Sequence, residues 1–200
     1  MPEYRRAFVP GGTCFFTIVT ANRQRILTTP RAIEFLQTAT RQTQSRWPFT
    51  IDASVILPDH LHTIWTLPDN DHDFSTRWAY LKKTFTKAWI AECLPTQHVS
   101  ASKQRDRRAG VWQRRFWEHT IRDDQDMNAH HDYIHFNPVK HDVATCPHAW
   151  PHSTFARAVH ESRYEADWCC SCGERRVRPP TFDTIAAFAM EWTCGPTTLA

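Results

Sequence analysis

The sequence predicts an α+β domain: an antiparallel sheet with helices on one face. Three observations predict it. Short β-branched and aromatic runs alternate with two long segments of helical period. Two of those runs are separated by little more than Pro58–Asp59, which is turn chemistry and makes them antiparallel neighbours. An apolar fraction of 41% with 12% aromatic residues supplies a core for 200 residues, enough for one domain or one domain with an appendage.

The elements follow in order. "GTCFFTIVT", residues 12–20, is short, β-branched and aromatic, and it follows a Gly-Gly turn, so it is a strand. "PRAIEFLQTATRQTQSRW" opens on Pro30 and places Ala32, Ile33, Leu36 and Ala39 at helical spacing, with Pro48 beyond its end. "FTIDASVILP" and "HLHTIWTLP" are two strands of a tight hairpin. "DFSTRWAYLKKTFTKAWIAECL" carries Phe74, Trp78, Leu81, Phe85 and Trp89 near the 3.6 period, a long amphipathic helix. "GVWQRRFWEHTI" is expected as a fourth strand. "DDQDMNAHHDYIHF" is expected as a further helix, with acidic residues in the first turn where the helix dipole favours them.

Strand, helix, strand, strand, helix, strand is the ferredoxin-like split βαβ order, with four to five strands and one additional C-terminal helix. A composition shift falls near residue 166, where "ADWCCSCGERRVRPP" is Cys-rich, then basic and Pro-rich. Residues 1–165 are therefore read as one domain and 166–200 as a Cys-rich extension, with "FDTIAAFAMEW" as a helical candidate.

No run of about 18 apolar residues suggests a membrane span, and no apolar stretch follows the early arginines as in a secretory signal. A cytoplasmic protein is expected. Seven cysteines argue against a closed disulfide framework, so thiols or metal ligands are expected. Five glycines and no phosphate-cradling loop argue against a nucleotide cofactor. Net charge is only +3, but it is uneven. Lys103, Arg105, Arg107, Arg108, Arg114, Arg115 and Arg122 face only Asp106 and Glu118, with Trp112, Phe116 and Trp117 interleaved. Such a stretch can neutralise phosphates and stack bases, or it can be a solvated charged loop.

Two constellations carry chemistry. In "LPDHLHTIW", residues 57–65, His60 and His62 sit at i and i+2 of a strand and share a face. Each imidazole can give one nitrogen to a divalent ion, or the two can be ordinary strand residues. In "HHDYIHFNPVKH", residues 130–141, Tyr133 and Asn137 are one helical turn apart. Tyrosine can be a nucleophile and an amide oxygen can complete a metal's shell. Equally, Tyr133 can be a core tyrosine, and Asn137 before Pro138 can be a helix cap where the helix ends or kinks. Glu118 and His119 are acid–base candidates or sheet surface. Cys169, Cys170 and Cys172 with Cys194 lack the paired C-x-x-C spacing of a common zinc site; a structural zinc and uncoordinated thiols both remain open.

Taken together, "YRRAFVPGGTCFFTIVTANR", "LPDHLHTIW", "GVWQRRFWEHTIRDD" and "HHDYIHFNPVKH", in that order, resemble the single-tyrosine HUH transposases, specifically the REP-associated tyrosine transposases. The resemblance runs from about Tyr4 to about Phe155. It implies that His60 and His62 hold Mg²⁺ or Mn²⁺, that Asn137 is the third ligand, and that Tyr133 attacks single-stranded DNA to give a 5′-phosphotyrosine. It implies a palindromic, REP-like hairpin as the substrate and transposition or REP-element mobilisation as the outcome. No ATP is required, and a monomer is expected rather than a homodimer. The phosphate contacts are assigned to Arg5, Arg6, Arg23, Arg25 and Lys140 with the basic residues of 103–122. Asp142 stands where relatives commonly have glycine, at the end of the tyrosine helix. A protein that binds palindromic single-stranded DNA or RNA without cutting it is the alternative.

Overall fold

The computed structural model describes residues 9–93 and 110–170. The chain divides into two compact units, Met1–Ile121 and Arg122–Ala200. The first contains β1 (Thr13–Val19), α1 (Pro30–Arg46), β2 (Thr50–Ile56), β3 (His60–Thr66), α2 (Phe74–Cys93) and β4 (Trp117–Thr120). The strands form one sheet in the order β2-β3-β1-β4, and every neighbouring pair is antiparallel. This is the split βαβ arrangement, and the four-stranded antiparallel α+β sheet agrees with the expectation.

Local chemistry explains each element. The Gly-Gly turn before β1 is real: Gly11 has φ +68°, and a Cβ on it would lie 3.0 Å from the Asp69 Cα. Thr29 caps α1 by accepting from the Ala32 amide at 3.3 Å, and Pro30 opens the first turn. The buried stripe of α1 is Ala32, Leu36, Ala39 and Thr43, the 3.6 period read from sequence. One face of the sheet, with Cys14, Phe16 and Ile18 of β1 and Leu61 and Trp65 of β3, shares a core with Leu36 of α1 and Trp78, Phe85 and Trp89 of α2. Both helices of this unit thus lie on one face. Trp65 stacks on Trp78 with centroids 4.0 Å apart. Arg77 is buried in α2, and its guanidinium donates to the Asp71 carboxylate at 2.6 Å and to the carbonyls of Asp73 and Pro48 at 2.9 Å. The Asp71 carboxylate and the two carbonyls on its terminal nitrogens are what make a buried charge tolerable there, although Nε finds no acceptor among the described residues.

The fourth strand is shorter than the sequence suggests. Trp117 pairs with Thr17, but Trp112 bridges Thr20, so two extra residues loop out between the paired segments. Arg114 and Arg115 fall in this bulge and are exposed. Alternation alone could not show it, because hydrophobic Phe116 still packs into the core beside the bulge.

In the second unit, α3 (Asp124–Lys140) is followed by a 3₁₀ turn at Pro147–Ala149 and by α4 (Phe155–His160). Asp123 caps α3, accepting from the Asp126 amide at 2.8 Å. The helix does not stop before Pro138 but runs through it for two more residues. So near the end, a proline removes one intrahelical bond and leaves the remaining turn intact. The helix closes instead at Asp142, with φ +54°. There the Val143 amide donates to the Pro138 carbonyl at 3.0 Å and the Asp142 amide to Val139 at 3.1 Å, a Schellman closure that favours glycine. The core of this unit is His135, Phe136, Phe155, Tyr164 and Trp168 in mutual ring contact. The helical candidate "FDTIAAFAMEW" lies outside the described residues.

Candidate active site

His60 and His62 do share a strand face, and they are buried at 6% and 2% exposure rather than lying on an open surface. Their ring centroids are 5.0 Å apart and the rings are nearly perpendicular. Each ring is held by its Nδ1. His60 Nδ1 meets the Asp59 carboxylate at 2.6 Å, and His62 Nδ1 meets the Thr17 hydroxyl of β1 at 2.9 Å. Phe15 stacks against His62 at 5.5 Å. Asp59 in turn accepts from Arg23 at 2.9 Å. Burial opposes ionisation of Asp59, but the hydrogen bonds and charges of His60 and Arg23 outweigh it and hold the carboxyl well below its ordinary range. An ionised Asp59 can only accept, so His60 carries its proton on Nδ1. Nε2 is then the nitrogen each ring would offer to a cation. Carboxylate- or hydroxyl-held imidazoles fit a divalent ion.

Strand alternation points to the two histidines but not to Asp59 or Thr17. Asp59 is adjacent in "PDHLH", where Pro58–Asp59 reads as turn chemistry; Thr17 is reached only through the pairing of β1 with β3.

Tyr133 and Asn137 occupy one face of α3, and both are buried, at 3% and 0% exposure. Burial pushes the Tyr133 hydroxyl up, and the neighbouring Asn137 amide acts in the opposite direction. Yet neither polar atom of the Asn137 amide makes a hydrogen bond of full geometry among the described residues. Asn137 is therefore not the helix cap that Asn-Pro suggests. The Lys140 ammonium sits 4.9 Å from the Tyr133 ring centroid, and burial lowers its pKa. His131 and His135 flank the tyrosine on α3. Burial, reinforced for His131 mainly by Arg163 and for His135 mainly by His131, lowers them to about 4 and about 3, so both are neutral at pH 7.

The basic candidates divide. Arg25, Arg114 and Arg115 are exposed, while Arg23 is tied to Asp59. Arg122 is well exposed and pairs with Asp126 at 3.1 Å. Lys140 is turned to the tyrosine ring. Arg5, Arg6, Lys103, Arg105, Arg107 and Arg108 lie outside the described residues. Glu118 is buried on β4 and His119 is half-buried, stacked on Trp117 at 5.9 Å.

The described residues combine an antiparallel α+β sheet carrying an H-x-H strand with a helix that buries a tyrosine. No protein-family model matches the chain. It is 45% identical over 168 residues to a REP-associated tyrosine transposase of Haemophilus influenzae, covering 84% of this chain and 93% of that protein. It is 42% identical over 182 residues to the REP-associated tyrosine transposase of Escherichia coli, covering 88% and 99%. Its structure is similar to that of a REP-associated tyrosine transposase solved with a REP hairpin, with TM-score 0.71 and 41% identity over 89% of this chain and all of that one. The chain belongs to the REP-associated tyrosine transposases. No helix among the described residues is long and apolar enough to cross a membrane.

Proposed function

We propose that this transposase cuts and rejoins single-stranded DNA at hairpin-forming palindromes of the REP type, with a divalent cation at His60 and His62 and with Tyr133 as nucleophile. The observation that carries the reading is the pair of buried imidazoles, each held through Nδ1 by Asp59 or Thr17. When bound, Mg²⁺ or Mn²⁺ supplies a Lewis acid for the scissile phosphate. Asp59 and Thr17 fix the two rings, so that no reorganisation is needed at the moment of reaction. Asn137 is the third ligand in this reading. Its buried amide makes no hydrogen bond of full geometry among the described residues, and a ligand on Oδ1 would satisfy an acceptor that burial leaves poorly paired.

Tyr133 Oη forms the new bond to phosphorus while the bond to the 3′-oxygen breaks. The tyrosine proton passes through solvent to the departing oxygen, leaving a 5′-phosphotyrosine and a free 3′-OH. Attack by another 3′-OH reverses the step, which needs no nucleotide cofactor. Lys140, beside the ring, offsets phenolate charge as the proton leaves. Exposed Arg25, Arg114 and Arg115 are suited to contact phosphates, and the hairpin bound by the structural relative is the model for the substrate. Residues 1–165 form the working domain in this reading, which is that of a cytoplasmic monomer.

The test is covalent trapping. A labelled single-stranded hairpin is incubated with the protein, with and without Mn²⁺ or Mg²⁺, beside Tyr133→Phe. A metal-dependent DNA-linked band that Tyr133→Phe lacks is expected. Hairpin binding without adduct or cleavage, across palindromes and metals, would instead favour a binder that does not cut.

A further inference from the structure

The strand transfer proposed above uses none of the described cysteines of the second unit. Three metal-ligating side chains nevertheless converge there. Cys146, His148 and Cys170 each bring a donor atom within 4.8 Å of the other two. The convergence is built by the fold. Cys146 is buried and caps the 3₁₀ turn Pro147–Ala149, its carbonyl accepting from the Ala149 amide at 3.1 Å. That turn carries the His148 ring two residues on. Cys170 arrives from the far side of α4. The Tyr164 hydroxyl donates to Asp132 of α3 at 2.7 Å, and Trp168 packs on Phe136, Phe155 and Tyr164. These contacts fix the segment before Cys170. A left-handed residue at Cys169, φ +52°, turns the chain, and the Cys170 amide donates to the Asp167 carbonyl at 2.9 Å.

Cys146 is disulfide-bonded in the structure, contrary to the expectation that all seven cysteines are thiols or metal ligands. A disulfide accounts for one sulfur only. It gives no reason for an imidazole and a second cysteine to close on the same point. A tetrahedral N/S centre accounts for all three, since two sulfurs and one imidazole are a common partial ligand set for zinc.

We propose that the reduced chain binds one zinc-type divalent ion through Cys146, His148 and Cys170, leaving one tetrahedral position to a further donor. Reduction by a small dithiol takes the Cys146 disulfide to two thiols, the reductant becoming the cyclic disulfide. Ion binding then releases the thiol protons. The ion joins the 3₁₀ turn to the segment after α4, closing a loop of the chain on itself. Its ligands, two sulfurs and a nitrogen, suit a softer ion than the Mg²⁺ or Mn²⁺ proposed for the histidine pair, so the two sites are chemically separable.

The experiment uses the full chain, reduced under argon and freed of metal, then titrated with Co²⁺ and, separately, Zn²⁺. Wild type is expected to show an intense sulfur-to-cobalt charge-transfer band saturating at one equivalent, bleached by Zn²⁺, with one zinc retained after desalting. His60→Ala is expected to keep the band. Cys170→Ser is expected to lose it, and His148→Ala, a substitution at an exposed position, to weaken it. Absence of the band and of retained zinc in reduced wild type overturns the proposal. So does a band that survives in both variants.

Discussion

Replacing Asp59 tests the proposed metal site at the point where the geometry is most specific. Its carboxylate holds His60 at 2.6 Å and Arg23 at 2.9 Å, and its side chain is 15% exposed. If the contact to His60 matters by orienting the ring, Asp59→Ala should weaken Mn²⁺ binding by about 10- to 100-fold. That corresponds to about 1.4–2.8 kcal/mol. Asp59→Asn keeps an acceptor for Nδ1–H but loses the charge, so its loss should fall at the lower end. Arg23→Ala is the control. Its side chain is 40% exposed, and such a surface pair contributes about 0–1 kcal/mol. Mn²⁺ titration followed by electron paramagnetic resonance reads the affinity directly, without DNA. Wild-type affinity in Asp59→Ala would refute the reasoning. Equal losses in Arg23→Ala and Asp59→Ala would show that local charge, not imidazole orientation, is what counts. The carboxyl's depressed pKa adds a pH signature. The Asp59 contribution to folding is present above the ordinary carboxylate range and is lost as pH falls below it toward the folded value.

Three other outcomes follow from the same structure. Burial keeps the Tyr133 phenol protonated above its usual range, so single-turnover cleavage should rise with pH on the alkaline side of neutrality; a flat profile in rapid-quench assays would remove the phenol proton from the rate-limiting step. Asp142→Gly relieves a left-handed residue at the end of α3 and should add up to about 1 kcal/mol, read as a higher midpoint in urea, while Asp142→Val should lower it. Trp78→Ala removes the ring stacked 4.0 Å from Trp65 and should cost about 3–5 kcal/mol in the same assay.

The sequence by itself determined the elements whose signal is periodic. The α1 stripe, the α2 aromatics and the β2–β3 hairpin are where spacing puts them, because burial of one face imposes a period of 3.6 or 2 on the chain. It also determined that His60 and His62 share a face and that Tyr133 and Asn137 share another, since both statements concern residues on one element. Asp142 stood out only through the family resemblance, as a position where relatives commonly have glycine, and its φ of +54° supplies the physical reason. What only the tertiary structure decided concerns groups that meet through separate elements. Thr17 reaches His62 because β1 pairs with β3, and no local pattern encodes that register. The two-residue bulge at Arg114 and Arg115 is set by where β1 finds partners, not by alternation. Pro138 stays within α3 although Asn-Pro reads locally as a helix end, and the chain closes only beyond it through the Asp142 and Val143 amides. Cys146, His148 and Cys170 are brought together because Tyr164 and Trp168 anchor the intervening chain. Spacing along a chain fixes which side chains point the same way; only packing between elements fixes which of them meet.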